Sequence, residues 1–162
     1  MPLNGSVSNC TILFRRISGR VAFSPREKRT LQNFAATLAS KIGAGRSFTC
    51  LITGDQELQR LNRTFLADDY PTDVLSFPSR EPANALGEMA ISIDRAEAQA
   101  AVRGHARIDE VRILMLHGLL HLIGMDHECD CGEMARAELK WRAELGLPGT
   151  LLARRPQPSK TS

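Results

Sequence analysis

The stretch Ile108–Ile123 constrains the fold more than any other part of the chain, because it is apolar on nearly every side when drawn as a helix. The apolar side chains that cover its circumference are Ile113, Leu114, Leu116, Leu119, Leu120, Leu122 and Ile123. A helix that is apolar all round is buried, and this run is shorter than the ~20 residues that a membrane span needs. We therefore predict a central core helix that ends at Gly124.

The rest of the pattern predicts a small β-sheet and further helices around this core helix. Runs of β-branched and aromatic residues predict strands, and amphipathic spacing with helix caps predicts helices. The predicted strands are Cys10–Phe14, Phe48–Thr53, Val74–Phe77 and Leu86–Ile93, and the predicted helices are 25–42, Asp55–Phe65, Asp94–Arg103 and Glu133–Leu145. This order favours an α+β fold, a small mixed sheet of about four strands covered by about five helices. Prolines on both sides of the third strand predict a place at a sheet edge or beside a cleft.

Size and composition agree with one globular domain. The chain has 162 residues, of which 43% are hydrophobic and 24% charged. We predict a single domain over residues 1–150, followed by a disordered polar tail over 151–162. The first residues lack the pattern of a signal peptide, which predicts a cytoplasmic location. Cysteines stay reduced there, and Cys10 and Cys50 lie in apolar segments typical of buried thiols.

Positive charge is concentrated near the amino terminus. Residues 1–48 contain eight Lys or Arg and one acidic residue, Glu27, although the net formal charge of the chain is only +3. This asymmetry favours a surface for a polyanion, most often a nucleic acid. A solvated face without a partner is the alternative, and charge alone does not decide between them.

Three of the four histidines lie in the segment HGLLHLIGMDH. His117 and His121 are four residues apart on the predicted helix, so their side chains leave the same face one turn apart. Gly124 lets the chain turn back, so that His127 can reach the same ion. Three imidazoles with one open coordination position are typical of a catalytic zinc ion. We therefore predict one Zn²⁺ at a zincin-like site on the buried central helix, with His117, His121 and His127 as ligands.

Other interpretations of these residues stay open at this point. Each histidine could instead be a separate core residue that is hydrogen-bonded to a carbonyl. A buried imidazole that lacks such a partner costs roughly 1–3 kcal/mol, and a shared metal removes that cost. Cys129 and Cys131 could instead complete a closed structural site beside His127. Imidazoles also bind Ni²⁺ and Cu²⁺ readily, so the ligand set does not fix the metal. His105 lies in a predicted loop, and we expect it at the surface.

The histidine spacing is that of the metzincin proteases, but Gly118 argues against their reaction. Those proteases place a glutamate general base directly after the first histidine, whereas this chain has Gly118 there. Loss of a general base costs about 10²–10⁴ in rate. A phosphodiester is a better candidate substrate, because a zinc ion polarises a phosphoryl oxygen and lowers the pKa of a bound water to about 7.

Three linked motifs resemble the YbeY-type endoribonucleases, which are bacterial rRNA maturation factors. HGLLHLIGMDH is similar to the family pattern H-G-x-L-H-L-x-G-[YF]-D-H. PTDVLSFP, at 71–78, resembles the family's strand beside the active-site cleft, and LGEMAISI, at 86–93, resembles its L-G-[DE]-hydrophobic strand. Leu61 and Asn62 also fit the family pattern, and the matching order extends from about residue 50 to about residue 145.

The resemblance implies one metallo-endoribonuclease domain with a zinc ion held by His117, His121 and His127. It implies metal-dependent cleavage of single-stranded RNA, with roles in 16S rRNA 3′-end maturation and in 70S ribosome quality control. The implied partners are rRNA and the small ribosomal subunit, including protein uS11 and a ribosome-assembly GTPase.

Two positions depart from the family pattern. Leu66 stands where many members have an arginine implicated in RNA cleavage, and a leucine offers no charge to a phosphate. Arg63 or Arg60, about one turn earlier on the helix, could substitute, which makes Arg63 a candidate substrate-binding residue. Met125 replaces an aromatic residue, a change that the adaptable packing of methionine tolerates.

Further candidate site residues follow from their positions. Glu88 is the carboxylate to test as proton acceptor, although the face of the strand that it occupies is open and a surface role is the alternative. Asp126 could orient an imidazole by accepting its N–H, or could cap the next segment. Thr72, Asp73 and Ser76 are candidate substrate-binding residues, although an aspartate such as Asp73 more often stabilises a turn.

Two other classes of function stay open. The chain could be a non-enzymatic ribosome-assembly factor with a structural zinc ion, an alternative that Leu66 makes less remote. It could also be a metal-dependent hydrolase of another substrate. Cleavage of single-stranded RNA by the parent protein but not by a His117→Ala variant distinguishes the enzyme from the binding protein.

Overall fold

The computed structural model describes residues 10–17, 19–66, 72–126 and 131–148. In chain order the elements are β1 (Thr11–Phe14), α1 (Pro25–Lys41), β2 (Ser47–Thr53), α2 (Asp55–Leu66), β3 (Val74–Pro78), β4 (Ala85–Ser92), α3 (Ile93–Arg103), α4 (Arg107–Leu122) and α5 (Glu133–Glu144). Each predicted strand and helix is present close to its predicted bounds. The predicted third ligand, His127, the predicted alternative ligand Cys129 and the predicted tail, 151–162, lie outside the described residues.

The strands form one mixed sheet in the order β1-β2-β4-β3. β1, β2 and β4 run parallel, whereas β3 pairs antiparallel with β4 at the edge. Because one side of an edge strand needs no ladder hydrogen bonds, β3 can include Pro78. The predicted mixed sheet and the edge position of the third strand are therefore confirmed.

Helix α1 begins at a capping box. The Glu27 N–H donates to Ser24 Oγ at 3.1 Å, and the Ser24 N–H donates to Glu27 Oε1 at 3.0 Å. Pro25 occupies the first turn, where its missing N–H costs nothing. From this start, Leu31, Phe34 and Leu38 of α1 are buried against the sheet and α4.

Helix α4 is the core helix that the sequence predicts. Its fully buried side chains include Met115, Leu116, Leu119 and Leu120, each at 0% exposure. They pack with Cys50, Ile52, Met89 and Ile91 of the sheet and with α1 in the main hydrophobic core. Burial at this level removes a large apolar area from water, and it fixes the position of the histidines that α4 carries.

Helix α2 covers the opposite face of the sheet. Leu58 packs with Leu75 and Ala90 in a second core cluster, which Leu51, Leu61 and Phe77 extend. The α2 helix therefore lies on one face of edge strand β3, and α4 lies on the other.

The expectation that His105 is a surface residue is wrong. Its side chain is only 10% exposed, and its Nε2 lies 2.5 Å from Glu110 Oε2. Arg103 Nη1 donates to Glu110 Oε1 at 2.8 Å, and the Glu110 side chain is completely buried. A buried carboxylate needs such partners, and this requirement draws His105 inward.

Cys10 and Cys50 are buried free thiols, as predicted. Burial raises the pKa of Cys10, although a backbone hydrogen bond with Phe48 acts in the other direction. Burial also raises the pKa of the Cys50 thiol far above its usual range, with a further contribution from Cys10. Both thiols are therefore protonated at neutral pH and act as small apolar side chains.

Within the described part of the chain, no helix combines the length and the apolar character that a bilayer crossing requires.

Candidate functional site

A cleft of about 570 Å³ runs beside edge strand β3 and contains His117 and His121. The end of α2 contributes Asn62 and Leu66 to its wall. The segment 72–76 forms a second wall, and Gly124, Met125 and Asp126 lie at the end of α4. The cleft thus brings together residues of HGLLHLIGMDH and PTDVLSFP with Asn62, whereas no residue of LGEMAISI is among those that line it.

The two histidines of α4 point their Nε2 atoms at each other. These atoms lie 3.1 Å apart, and the rings are tilted by 75° with centroids 4.8 Å apart. Two imidazole nitrogens that bind one zinc ion at about 2.0–2.1 Å with tetrahedral angles are about 3.3 Å apart. The observed pair therefore fits two ligands of a shared ion.

Glu138 on α5 supports His117 from the other side of its ring. Its Oε2 lies 3.4 Å from His117 Nδ1, and Arg142 Nη2 donates to Glu138 Oε1 at 3.0 Å. Burial alone acts to raise the pKa of Glu138, but the hydrogen bond to His117 and the charges of His117 and Arg142 lower it below its usual value. A carboxylate on Nδ1 orients the ring and leaves Nε2 to bind a metal.

No pattern in the sequence points to Glu138, and Asp126 is the residue that its position in the sequence suggests for this role. Asp126 lies on the wall of the cleft, exposed to solvent. Glu138 is 21 residues away from His117 in the chain, so no short spacing pattern links the two.

Gly118 leaves little room for a side chain where α4 meets the sheet. A Cβ there would lie 3.0 Å from Met89 Sδ, 3.1 Å from Val74 Cγ2 and 3.3 Å from Ser76 Oγ. The Ser76 hydroxyl also donates to the Gly118 carbonyl at 2.9 Å. The position that holds a glutamate in the zinc proteases is thus a packing contact here, which holds β3 against the histidine helix.

Thr72 and Asp73 lie directly before β3 and line the cleft. The Asp73 carboxylate accepts from the Val74 N–H at 2.8 Å and from Gln99 Nε2 at 3.3 Å. The Ser92 N–H donates to the Asp73 carbonyl at 2.9 Å. Asp73 therefore orders the backbone at the entrance to the edge strand, as aspartate commonly does in turns.

Glu88 lies on the other face of the sheet. It pairs across the strands with Thr49 and Phe77, and it lines a groove with Leu61 and Phe65 of α2. Its neighbour Met89 faces the histidine helix, and successive side chains alternate between faces. The structure therefore does not bring Glu88 to His117 and His121.

Arg63 and Arg60 also face away from the cleft. Both line a different groove at the carboxyl edge of the parallel strands. Leu66, which is 47% exposed, occupies the wall of the cleft at the end of α2. The structure does not place either arginine beside the histidines.

The chain after α4 turns at Gly124, as predicted. Gly124 has a φ of 96°, its N–H donates to the His121 carbonyl at 3.0 Å, and the Met125 N–H donates to the Leu120 carbonyl at 3.0 Å. Among the described residues no group of three possible metal ligands is present, and His127 is not one of the described residues. The described part of the site thus consists of two converging imidazoles, His117 and His121, and the turn at Gly124 that follows them in the chain.

Comparisons with known proteins agree with this architecture. The family model described as Endoribonuclease YbeY matches residues 20–146. The chain is 48% identical over 149 residues to the endoribonuclease YbeY of Solibacter usitatus, across 92% of this chain and 97% of that protein. It is 42% identical to the protein of the same name from Koribacter versatilis, across 82% of this chain and 87% of that one.

A solved structure supports the fold independently. The solution structure of a Thermotoga maritima protein matches with a TM-score of 0.57 and 24% identity, across 87% of this chain and 94% of that one. The family match covers strands β2, β3 and β4, the α4 histidines and the helix that carries Glu138, whereas β1 lies before it. From its sequence and from this match, the chain belongs to the Endoribonuclease YbeY family.

Proposed function

We propose that this chain is a zinc-dependent endoribonuclease that cleaves single-stranded RNA, with His117, His121 and His127 as the metal ligands. The observation that carries the proposal is the convergence of two Nε2 atoms, 3.1 Å apart, in an open cleft. The names of the relatives, which describe RNA cleavage, support the substrate class.

The described residues would act mainly by positioning the metal ligands and the substrate strand. A zinc ion held by these nitrogens supplies Lewis acidity toward a phosphoryl oxygen and lowers the pKa of a bound water to about 7. Glu138 holds the His117 ring, and the hydrogen bond from Ser76 to Gly118 fixes the cleft strand on the histidine helix. The wall of the cleft can then orient a flexible strand beside the ligands.

The cleft lining has a consequence for the rate. No Lys or Arg is present among the described residues that line it, and Leu66 occupies the end of α2. Negative charge that develops on the phosphate then has no side-chain cation from these residues to stabilise it. The proposal therefore expects cleavage to depend strongly on the metal. The same feature favours the second candidate, an assembly factor that binds RNA without cleaving it.

The proposed physiological substrate is the 3′ region of 16S rRNA, with a further role in 70S ribosome quality control. The proposed setting is the small ribosomal subunit, with protein uS11 and a ribosome-assembly GTPase as partners. These finer statements are supported by the motif resemblance of HGLLHLIGMDH, PTDVLSFP and LGEMAISI.

A cleavage assay tests the proposal and separates the two candidates. Zinc-loaded protein is incubated with a single-stranded precursor of the 16S rRNA 3′ end and with the same sequence as a duplex. We expect cleavage of the single strand, its loss in His117→Ala, and retention in Glu88→Gln, since Glu88 lies on the opposite face of the sheet. Binding of the RNA without cleavage by the parent protein would favour the assembly factor.

A further inference from the structure

A second groove, of about 760 Å³, opens where the parallel strands end. Its floor contains Arg15, Gly54 and Asp94, which lie just beyond the carboxyl ends of β1, β2 and β4. The Arg15 N–H donates to the Ile52 carbonyl at 2.9 Å, so the chain beyond β1 still follows β2. The carboxyl edge of parallel strands is where open α/β sheets commonly bind ligands.

Arginines outnumber carboxylates on the lining of this groove. The four arginines are Arg15, Arg16, Arg60 and Arg63, and the three carboxylates are Asp55, Glu57 and Asp94. Two of the arginines share one carboxylate, because Arg60 Nη2 lies 2.6 Å and Arg15 Nη1 lies 3.4 Å from Glu57 Oε1. That group of three side chains therefore has a net positive charge.

The other two carboxylates are already occupied. Asp55 Oδ1 accepts from Ser92 Oγ at 2.5 Å and from Arg95 Nε at 3.3 Å. Asp94 accepts from the Asp55 N–H at 2.8 Å, and its Oδ1 lies 2.6 Å from Arg20 Nη2. Arg95 offsets the charge of Asp55, and Arg20, which Glu97 also shares, offsets part of the charge of Asp94, so arginines outside the lining reduce the negative charge within it.

Arg16 and Arg63 add positive charge at the surface. Both are exposed, and no hydrogen bond or ion pair of the Arg16 side chain occurs among the residues that the structure describes. A guanidinium suits a phosphate because it can donate two parallel hydrogen bonds to it. The groove therefore has the charge and the donors that a phosphodiester backbone requires.

The groove and the histidine cleft lie on either side of one helix. On α2, Arg60 and Arg63 line the groove, whereas Asn62 and Leu66 line the cleft. These residues occupy less than two turns, about 9 Å of helix axis. A strand that leaves the cleft across this part of α2 reaches the arginines directly.

We propose that this arginine groove binds the sugar–phosphate backbone of single-stranded RNA beyond the nucleotides that fill the cleft. The inference rests on the proposed function, since it extends the substrate of the same site. The contacts are to phosphates, so they add affinity and position the strand without reading its sequence. An RNA too short to leave the cleft gains nothing from the groove.

Binding of labelled RNAs of two lengths tests this proposal. Oligonucleotides of about 3 and about 20 nucleotides bracket the lengths that one such surface binds. Fluorescence anisotropy gives Kd from low to high salt for the parent, Arg16→Ala, Arg63→Ala and the double variant. Lys41 is an exposed cation in the last turn of α1. Lys41→Ala is therefore the control that removes one positive charge outside the groove.

We expect the double variant to bind the long RNA about tenfold more weakly, with a salt dependence of log Kd that is shallower by about 0.7 for each arginine removed. The short RNA should bind all variants equally, and Lys41→Ala should match the parent. Equal binding of the long RNA by the double variant and the parent overturns the proposal. The proposal is also overturned if the arginine replacements weaken the binding of both RNA lengths equally. It is overturned as well if they weaken the binding of an acidic peptide but not the binding of RNA.

Cleavage of the short RNA reports separately on the proposed function. If the short RNA is cleaved but replacement of Arg16 and Arg63 leaves the Kd of the long RNA unchanged, the groove proposal fails and the proposed endonuclease activity is retained. If neither RNA is cleaved but the long one still binds through the arginines, the endonuclease fails and the groove stands.

Discussion

The Glu138 carboxylate lies 3.4 Å from His117 Nδ1, although the two residues belong to different helices and are 21 positions apart. On the opposite side of the same ring, Nε2 lies 3.1 Å from Nε2 of His121. The His117 ring is thus held between a carboxylate and a second potential ligand, the arrangement that prepares a histidine to bind a metal.

Replacement of Glu138 by glutamine should weaken zinc binding by about 10- to 100-fold, because the His117 ring loses its charged partner. Competition with a zinc-binding indicator measures the affinity. Glu144→Gln, an exposed change on the same helix, should bind zinc as the parent does. Unchanged affinity in Glu138→Gln would show that the carboxylate does not support the metal ligand.

Gly118→Glu, which restores the residue of the zinc proteases, should unfold more easily rather than gain protease activity. Its side chain would enter a contact where even a Cβ lies 3.0–3.3 Å from Met89, Val74 and Ser76. Overpacking and burial of a carboxylate together cost at least about 2 kcal/mol. Urea denaturation measures this cost, and a variant as stable as the parent would contradict the packing role.

Glu110→Ala should destabilise the fold by about 1–3 kcal/mol, since it leaves the His105 ring, which is mostly buried, without its partner, whereas the more exposed Arg103 can turn to water. The midpoint of thermal unfolding is the measurement. Glu144→Ala, at an exposed position of α5, should have little effect. Similar midpoints for the two variants would mean that the buried carboxylate contributes no stability.

Glu27 should make the free energy of unfolding depend on pH in the acid range. Burial acts to raise its pKa, but the hydrogen bonds with Ser24 and the charge of Arg107 lower it below the usual value. A lowered folded-state pKa contributes stability above the unfolded-state pKa of about 4.3, and this contribution is lost as the pH falls through the folded value. Glu27→Gln should therefore lose stability at neutral pH and show a flatter loss below pH 4.3. Identical curves of unfolding free energy against pH would exclude this role.

The sequence predicts the fold well because its signals are local. The capping box at Ser24, the apolar circumference of α4 and the turn at Gly124 each depend on residues that are neighbours in the chain. Glu88 shows where such signals end: the face it occupies depends on the register of β4, and a slip of one residue would move it to the other face.

Two contacts, Glu138 with His117 and Glu110 with His105, depend on how the helices and loops pack in the folded chain. No sequence spacing links Glu138 to His117, because only the packing of α5 on α4 brings the two residues together. Glu110 carries only an ambiguous signal, since Asp109 beside it is also a carboxylate, and only the burial of Glu110 makes a cation or donor nearby necessary. That requirement points to His105, which the loop prediction alone leaves at the surface.

The most direct test of the account is a zinc-edge anomalous map from crystals of zinc-loaded protein. The account predicts one peak for each chain, at about 2.0–2.1 Å from nitrogens of His117, His121 and His127, with an open fourth position that faces the cleft. The absence of such a peak, or a zinc ion bound elsewhere while the two Nε2 atoms of α4 merely share a proton, would contradict it.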